Sequence, residues 1–412
     1  MVGRRPDLPI IAWEMALLNY LGGRQRERGR LGQTVAYSRD RNTVPGTRMK
    51  RIVVCTDGTW NSKDRASSDG TGLTNVGKLA AEVAPRDAAG VEQLVYYHPG
   101  VGTGWWWDRV AGGAFGVGLS RNIKECYVWL VERYEPGDEL YLFGFSRGAY
   151  TARSLVGFVR NCGVLRHEHS GLVDKAYDFY RDRAPETHPR GAMAADFRAR
   201  FAQPGQPTIK CVGVWDTVGS LGVPTSGPVG WLTRKRYGFH DVTLSSWVQN
   251  AFQALAVDER RKPFAPALWE VSDADTRKPT FQQRVDQVWF AGVHSNVGGG
   301  YADAGLSDLA LAWMYARARE CGLELRPDAT AKLRADVRGK LCDSMSWYYK
   351  AFGALVRIIN MPRKDASGAP MRTFERVDRS VFDRRRIPDL KYDPPNVRGI
   401  PEPAAAEHAI TA

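Results

Sequence analysis

Three short stretches of this 412-residue chain carry side chains able to act together on an acyl carbonyl. The first is LYLFGFSRGAYTARS, where Ser146 sits in Gly-Phe-Ser-Arg-Gly between an apolar run and a helix-like segment. The second is KCVGVWDTVGSLG, which places Asp216 directly after an apolar run, and the third is QVWFAGVHSNVGGGY, which places His294 before three glycines. A serine becomes a nucleophile when a histidine takes its proton and a carboxylate orients that histidine. GxSxG alone is weak evidence in a chain with 42 glycines, so the elements around each residue decide.

Those elements alternate. Apolar, β-rich runs occur at 51–55, 93–97, 139–143, 209–215 and 287–293, each followed by Gly, Asp or His turn chemistry. Helical spacing is read at 73–83, 123–134, 150–159, 247–261 and 306–321. Near-continuous apolar strands between helices indicate an α/β fold with a mostly parallel sheet covered on both faces. In such a sheet functional groups gather at the carboxyl ends of strands. Ser146, Asp216 and His294 all stand there, in the chain order of α/β-hydrolase triads.

A nucleophile on a strand-to-helix elbow takes a strained backbone conformation and needs small neighbours, which Gly144 and Gly148 supply. The backbone N–H of Arg147 is then one oxyanion donor, and the Gly58 and Thr59 amides of DGTWNS are the expected second source. Asp57 and Asp258 are rivals to Asp216 as the acid. Asp216 also reads as a turn cap, and His294 as a neutral core histidine. The sequence VVCTDGT has Cys55 where an aspartyl-phosphate phosphatase needs its nucleophilic Asp. No GxGxxG or GxxxxGK[ST] is completed, so no nucleotide is expected, and with no zinc spacing among the cysteines neither a metal nor another cofactor is expected.

Domain organisation is read as follows. Residues 1–48 are an Arg-rich extension or linker ahead of MKRIVVCTDGTW, with Met49 a candidate start. Residues 49–361 form the catalytic domain, with insertions at 166–206 and 224–246, and 362–412 is an irregular C-terminal segment. The segment PIIAWEMALLNYLGG is interrupted by Glu14 and lacks a cleavage site, so it does not read as a signal peptide. No run is long enough for a transmembrane helix. The six cysteines show no CxxC or zinc spacing; five sit inside apolar or helical patterns and read as buried free thiols, which suits a reducing compartment. Without a signal peptide or transmembrane helix the cytoplasm is the default expectation. The net charge of +13 favours anionic partners. Much of that charge is Arg near the two ends, which reads as solvated tails or as peripheral contact with an anionic membrane; nucleic acid is not expected, and the oligomeric state is undetermined.

Six blocks occur in a characteristic order: VCTDGTWN, GVGTGW, FGFSRGAYTARSLVG, GVWDTVGSLG, ALAVDERRKPFAPALW and WFAGVHSNVGGGY. Together they resemble the DUF2235 family of α/β-hydrolases, which includes type VI secretion phospholipase effectors of the Tle1 class. The resemblance runs from about Met49 to beyond Pro394. It implies Ser146 as nucleophile, Asp216 as acid and His294 as base, acting on an ester or lipid substrate, with phospholipid acyl esters cleaved in the effector branch without a metal. It also implies that export without a signal peptide is open to this chain. Many members carry Asp where this chain has Asn296, a His where it has Gln253, and HPS near Asp378–Ser380. The alternatives are an α/β-hydrolase-fold protein that binds an anionic partner, and a hydrolase of soluble esters or thioesters.

Overall fold

The computed structural model describes residues 49–58, 72–100, 114–218, 244–345, 349–350 and 353–403. The 1–48 extension, Thr59, most of the 224–246 insertion and the last residues of the C-terminal segment lie outside them.

The sheet grows from the apolar runs. Strands β1 (Arg51–Thr56), β2 (Gln93–His98), β3 (Glu139–Phe145), β4 (Thr208–Trp215), β5 (Val248–Ala256), β7 (Arg284–Phe290) and β10 (Glu375–Val377) pair in the order β10-β7-β5-β4-β3-β1-β2. Every pairing in this sheet is parallel. Three short strands, β6 (Val271–Ser272), β8 (Arg363–Lys364) and β9 (Pro370–Arg372), form a small antiparallel sheet in the order β6-β9-β8.

Alternation along each strand sends side chains to two covered faces. Ile52, Val54, Leu140 and Leu142 face one core with α2 (Ala114–Arg133), α3 (Arg147–Cys162), α4 (Val173–Arg181) and α5 (Ala192–Phe201). Val53, Cys55, Tyr141 and Phe143 face the other with α1 (Asn75–Glu82) and α7 (Gly305–Glu320). In α2 the buried Ile123, Tyr127 and Leu130 recur at helical spacing, which is why that segment winds as a helix and lies on the sheet. Helices α4 and α5 occupy the 166–206 insertion and pack on α3.

Two expectations are corrected. The helix expected over 247–261 is instead the strand β5, paired to β4 on one side and β7 on the other. Its residues 251–256 are all buried, and burial on both faces with two ladders of hydrogen bonds overrides the helical spacing of its alanines. The C-terminal segment expected to be irregular is ordered through 363–397. β10 extends the main sheet, and α8 (Arg379–Arg385), capped by the Asp378 side chain on Ser380 N, buries Val381 and Phe382 in a third core with Val377, Trp289 and Leu255. Its core residues, Val377 alone and Val381–Phe382 as a pair among many arginines, gave no apolar run that would reveal that role.

The strand order places the site. β2 lies on one side of β1 and β3 on the other, so the chain changes direction across the sheet between β2 and β3. The crevice of a doubly wound sheet opens at such a point. The ends of β1 and β3, with Gly58 and Ser146, adjoin there.

Candidate active site

Ser146 follows β3 directly and precedes α3. Its φ is 57° and ψ −115°, a left-handed conformation that costs a non-glycine residue of order 1–3 kcal/mol and marks the strained turn expected for an elbow. The surroundings leave room only for glycine on either side. A Cβ on Gly148 would lie 2.0 Å from Thr56 O, and one on Gly144 would lie 2.5 Å from Gly148 O. The Ser146 N–H donates to Trp215 O at 3.0 Å, tying the elbow to the end of β4.

Asp216 is the next residue after that carbonyl. It is fully buried, with φ 41°. Its N–H donates to Ala254 O at 2.7 Å, and its Oδ1 accepts the Ala256 N–H at 3.1 Å, so neighbouring β5 fixes the carboxylate. Its Oδ2 lies 2.6 Å from His294 Nδ1. Of the three acids weighed from sequence, only Asp216 meets His294. Asp258 Oδ2 accepts from Gly292 N and Tyr392 Oη, and Asp57 accepts from Thr74 Oγ1, Tyr97 Oη and Gly58 N.

His294 opens the one-turn helix α6 (His294–Gly298) after β7. The Phe145 ring packs on its imidazole at 4.7 Å between centroids, and the Phe264 ring meets it edge-on at 5.0 Å. Phe145 immediately precedes Ser146, so the imidazole lies beside the elbow. Gly298 explains part of the glycine run: a Cβ there would overlap the Phe145 ring at 1.9 Å. The His294 N–H donates to Glu259 Oε2 at 3.2 Å. Glu259 is itself held by Arg261 at 2.8 Å and by Ser344 Oγ at 3.0 Å.

The electrostatics suit a neutral imidazole beside an ionised carboxylate. Burial lowers the His294 pKa below 6.5, against the opposing pull of Asp216. Burial alone would raise the Asp216 carboxyl, but Arg357 beside it, with the His294 contact, holds it well below the usual carboxylate range. Burial pushes Asp57 up to about 6 despite its three hydrogen bonds.

The expected oxyanion donors fare differently. The Arg147 N–H stands at the first residue of α3, where an elbow places it. Gly58 lies against Ser146, a Cβ there being 3.8 Å from Ser146 Oγ, but its N–H donates to the Asp57 carboxylate at 2.7 Å. The Gly58 amide is therefore engaged elsewhere, and Thr59 lies outside the described residues.

Sequence reasoning missed Arg357. Its guanidinium donates to Asp216 Oδ1 at 2.6 Å and Oδ2 at 3.0 Å, to Ala256 O at 2.8 Å and to Phe264 O at 2.6 Å. The available signal was a lone charge inside the apolar run ALVRII (354–359). Two of the family departures, Asn296 and Gln253, are satisfied locally. Asn296 Oδ1 accepts from Val293 N and Cys342 N while its Nδ2 donates to Lys340 O, and Gln253 Nε2 donates to Ala267 O.

Five of the cysteines are buried, Cys342 is half-buried, and all six are free. Among the described residues there is no cluster of three metal-ligating side chains, and no helix is long and apolar enough to cross a membrane.

The family described as "T6SS, Phospholipase effector Tle1-like, catalytic domain" matches residues 50–317, well over half of the chain. An uncharacterized protein of Saccharomyces cerevisiae is 27% identical over 272 residues, covering 61% of this chain and 36% of its own length. The chain thus spans about a third of that relative. Among solved structures, an uncharacterized protein from Pseudomonas aeruginosa aligns with a TM-score of 0.44 at 20% identity, covering 70% of this chain and 49% of the other. A Tle1 effector bound to the VgrG spike of a type VI secretion system aligns at 0.36 and 17% identity, covering 61% and 51%. Esterase 2 of Thermogutta terrifontis aligns at 0.34 and 14% identity, covering 68% and 87%.

Proposed function

The chain belongs to the Tle1-like family of type VI secretion phospholipase effectors, and on that premise we propose that it is a serine hydrolase of lipid acyl esters. The observation that carries the chemistry is the 2.6 Å contact between His294 Nδ1 and the buried Asp216 carboxylate, set beside a serine held in an elbow conformation.

With Nδ1–H committed to Asp216, His294 keeps Nε2 as the free basic nitrogen. That nitrogen takes the Ser146 proton as Oγ attacks the ester carbonyl carbon. Charge develops on the carbonyl oxygen, which the Arg147 N–H stabilises from the start of α3. The tetrahedral intermediate collapses to an acyl-serine as the imidazolium gives its proton to the leaving alcohol. Water, deprotonated by the same imidazole, then releases the acid and restores Ser146. Asp216 stays ionised throughout and offsets the charge on the imidazolium.

Phospholipid acyl esters are the substrate class that the family supports, and the net charge of +13 suits approach to an anionic bilayer. The family also makes delivery through a type VI secretion machine part of the reading.

The test is a fluorophosphonate probe combined with a substrate screen. Wild-type protein is expected to label at Ser146 and to release fatty acid from phospholipid vesicles. Ser146→Ala is expected to fold normally, to escape labelling and to lose short p-nitrophenyl ester hydrolysis by about 10⁴-fold or more. Retained turnover in that variant ends the serine mechanism. Turnover of soluble esters or acyl-CoA without vesicle hydrolysis moves the substrate away from lipid.

A further inference from the structure

An arginine coordinating the acid of a Ser-Asp-His site is an added element, because a carboxylate can orient a histidine without it. Here the carboxylate is surrounded on every side that faces protein. Oδ2 takes His294 Nδ1 and one Arg357 nitrogen, and Oδ1 takes the Ala256 N–H and the other. Arg357 approaches as a fork, which fixes the plane of the carboxylate as well as its position.

Arg357 is itself anchored. Its two terminal nitrogens also donate to Ala256 O, at the end of β5, and to Phe264 O, in the loop whose ring packs on His294. It is 2% exposed, although its chain neighbours Val356 and Ile358 are 51% and 62% exposed. Turning Val356 and Ile358 to solvent and the cation between them inward inverts the usual preference. Burying an arginine carries a large desolvation cost that a pair must offset. The carboxylate offsets it here, and the two carbonyls supply the further acceptors.

We propose that Arg357 is a positioning residue for the hydrolytic reaction, clamping Asp216 so that its carboxylate holds one tautomer and one orientation of His294. This rests on the serine-hydrolase reading for its kinetic consequences but not for its electrostatic ones. Among the described residues, the charged groups facing His294 are Asp216 and Glu259, which favour its protonation, and Arg261, which opposes it. Arg357 stands behind Asp216 and neutralises part of the field by which the carboxylate stabilises an imidazolium. Removing the positive charge leaves Asp216 ionised and lets it pull a proton onto His294 more strongly.

The experiment compares wild type with Arg357→Met and Arg357→Lys. The His294 imidazole is titrated by NMR, its signal assigned through His294→Gln, and the pH profile of p-nitrophenyl ester hydrolysis is recorded for the same proteins. In Arg357→Met the His294 titration and the acid limb of kcat/KM are expected to move up together by about one pH unit. kcat is expected to fall at least about tenfold with KM little changed, as for lost orientation of the base. Arg357→Lys keeps the charge but loses the fork, so its titration stays near that of wild type while kcat falls. If Arg357→Met does not fold, the Lys variant decides: unchanged kcat and unchanged titration overturn the clamp. In a folded Met variant, a His294 titration at the wild-type position overturns it as well. The NMR arm reads the clamp whether or not an ester is turned over, so failure of the serine-hydrolase reading shows separately, as activity that survives Ser146→Ala.

Discussion

His294 Nδ1 lies 2.6 Å from Asp216 Oδ2, though 78 residues separate the two in the chain. Both stand just beyond the ends of strands, Asp216 after β4 and His294 after β7, with β5 between those strands in the sheet. The carboxylate spans that gap because β5 offers it the Ala256 N–H, and because the loop after β7 turns the imidazole back towards it.

Replacing the acid is expected to cost both rate and stability. Asp216→Asn cannot accept from both Arg357 and the correct His294 tautomer, and kcat is expected to fall by about 10⁴-fold. It also leaves the buried Arg357 guanidinium without its anion, which is expected to cost about 3–5 kcal/mol of folding stability. Urea denaturation beside ester kinetics checks both. A fully stable Asn variant contradicts the burial of the pair.

Activity is expected to need His294 neutral. Because burial lowers its pKa below 6.5, the acid limb of kcat/KM is expected to lie below that value, with activity retained in mildly acidic buffer. An acid limb above pH 7 means that the contact with Asp216 outweighs burial.

The elbow tolerates no added carbon. Gly148→Ala would bring a Cβ to 2.0 Å from Thr56 O, which is backbone and cannot swing away. The variant is expected to lose about 3 kcal/mol or more, or to fail to fold, as judged by thermal melting against Ser146→Ala as the folded control. Wild-type stability in Gly148→Ala would remove the steric basis for reading Gly144–Gly148 as an elbow.

Asp57 gives a pH dependence of opposite sign to that of His294. Its pKa is about 6 in the folded protein against an ordinary 3.8, so the folded state binds a proton more readily than the unfolded chain. Its contribution favours folding below 3.8 and is lost as pH rises through 6, an effect of about 3 kcal/mol over that window. For His294, lowered in the folded state, stability is instead lost as pH falls below 6.5. Asp57→Asn is expected to flatten the change in denaturant midpoint between about pH 4 and 6. An unchanged slope there assigns that linkage to another group.

Much of the site was legible because local chemistry fixes it. The apolar runs that became β1, β3, β4 and β7 could be read from composition and length. GxSxG between a strand and a helix, Asp after an apolar run, and His before a glycine run named the residues that the fold gathers at one sheet edge. Short-range sterics dictate glycines beside a strained residue, and that requirement is written in the sequence itself.

What the sequence withheld depends on partners distant along the chain. The segment 248–256 is a strand because β4 and β7 flank it, a condition its own alanines and glutamines do not express. The arginine-rich stretch after 362 supplies β10 and α8 because Val377, Val381 and Phe382 meet the open edge of β7 and its core. The Gly58 amide looked like an oxyanion donor until Asp57 folded back to accept it. Arg357 joins Asp216 across 141 residues, and no spacing rule reaches that far. Its inward orientation is decided by the desolvation balance of one buried ion pair, which exists only once the tertiary structure has formed.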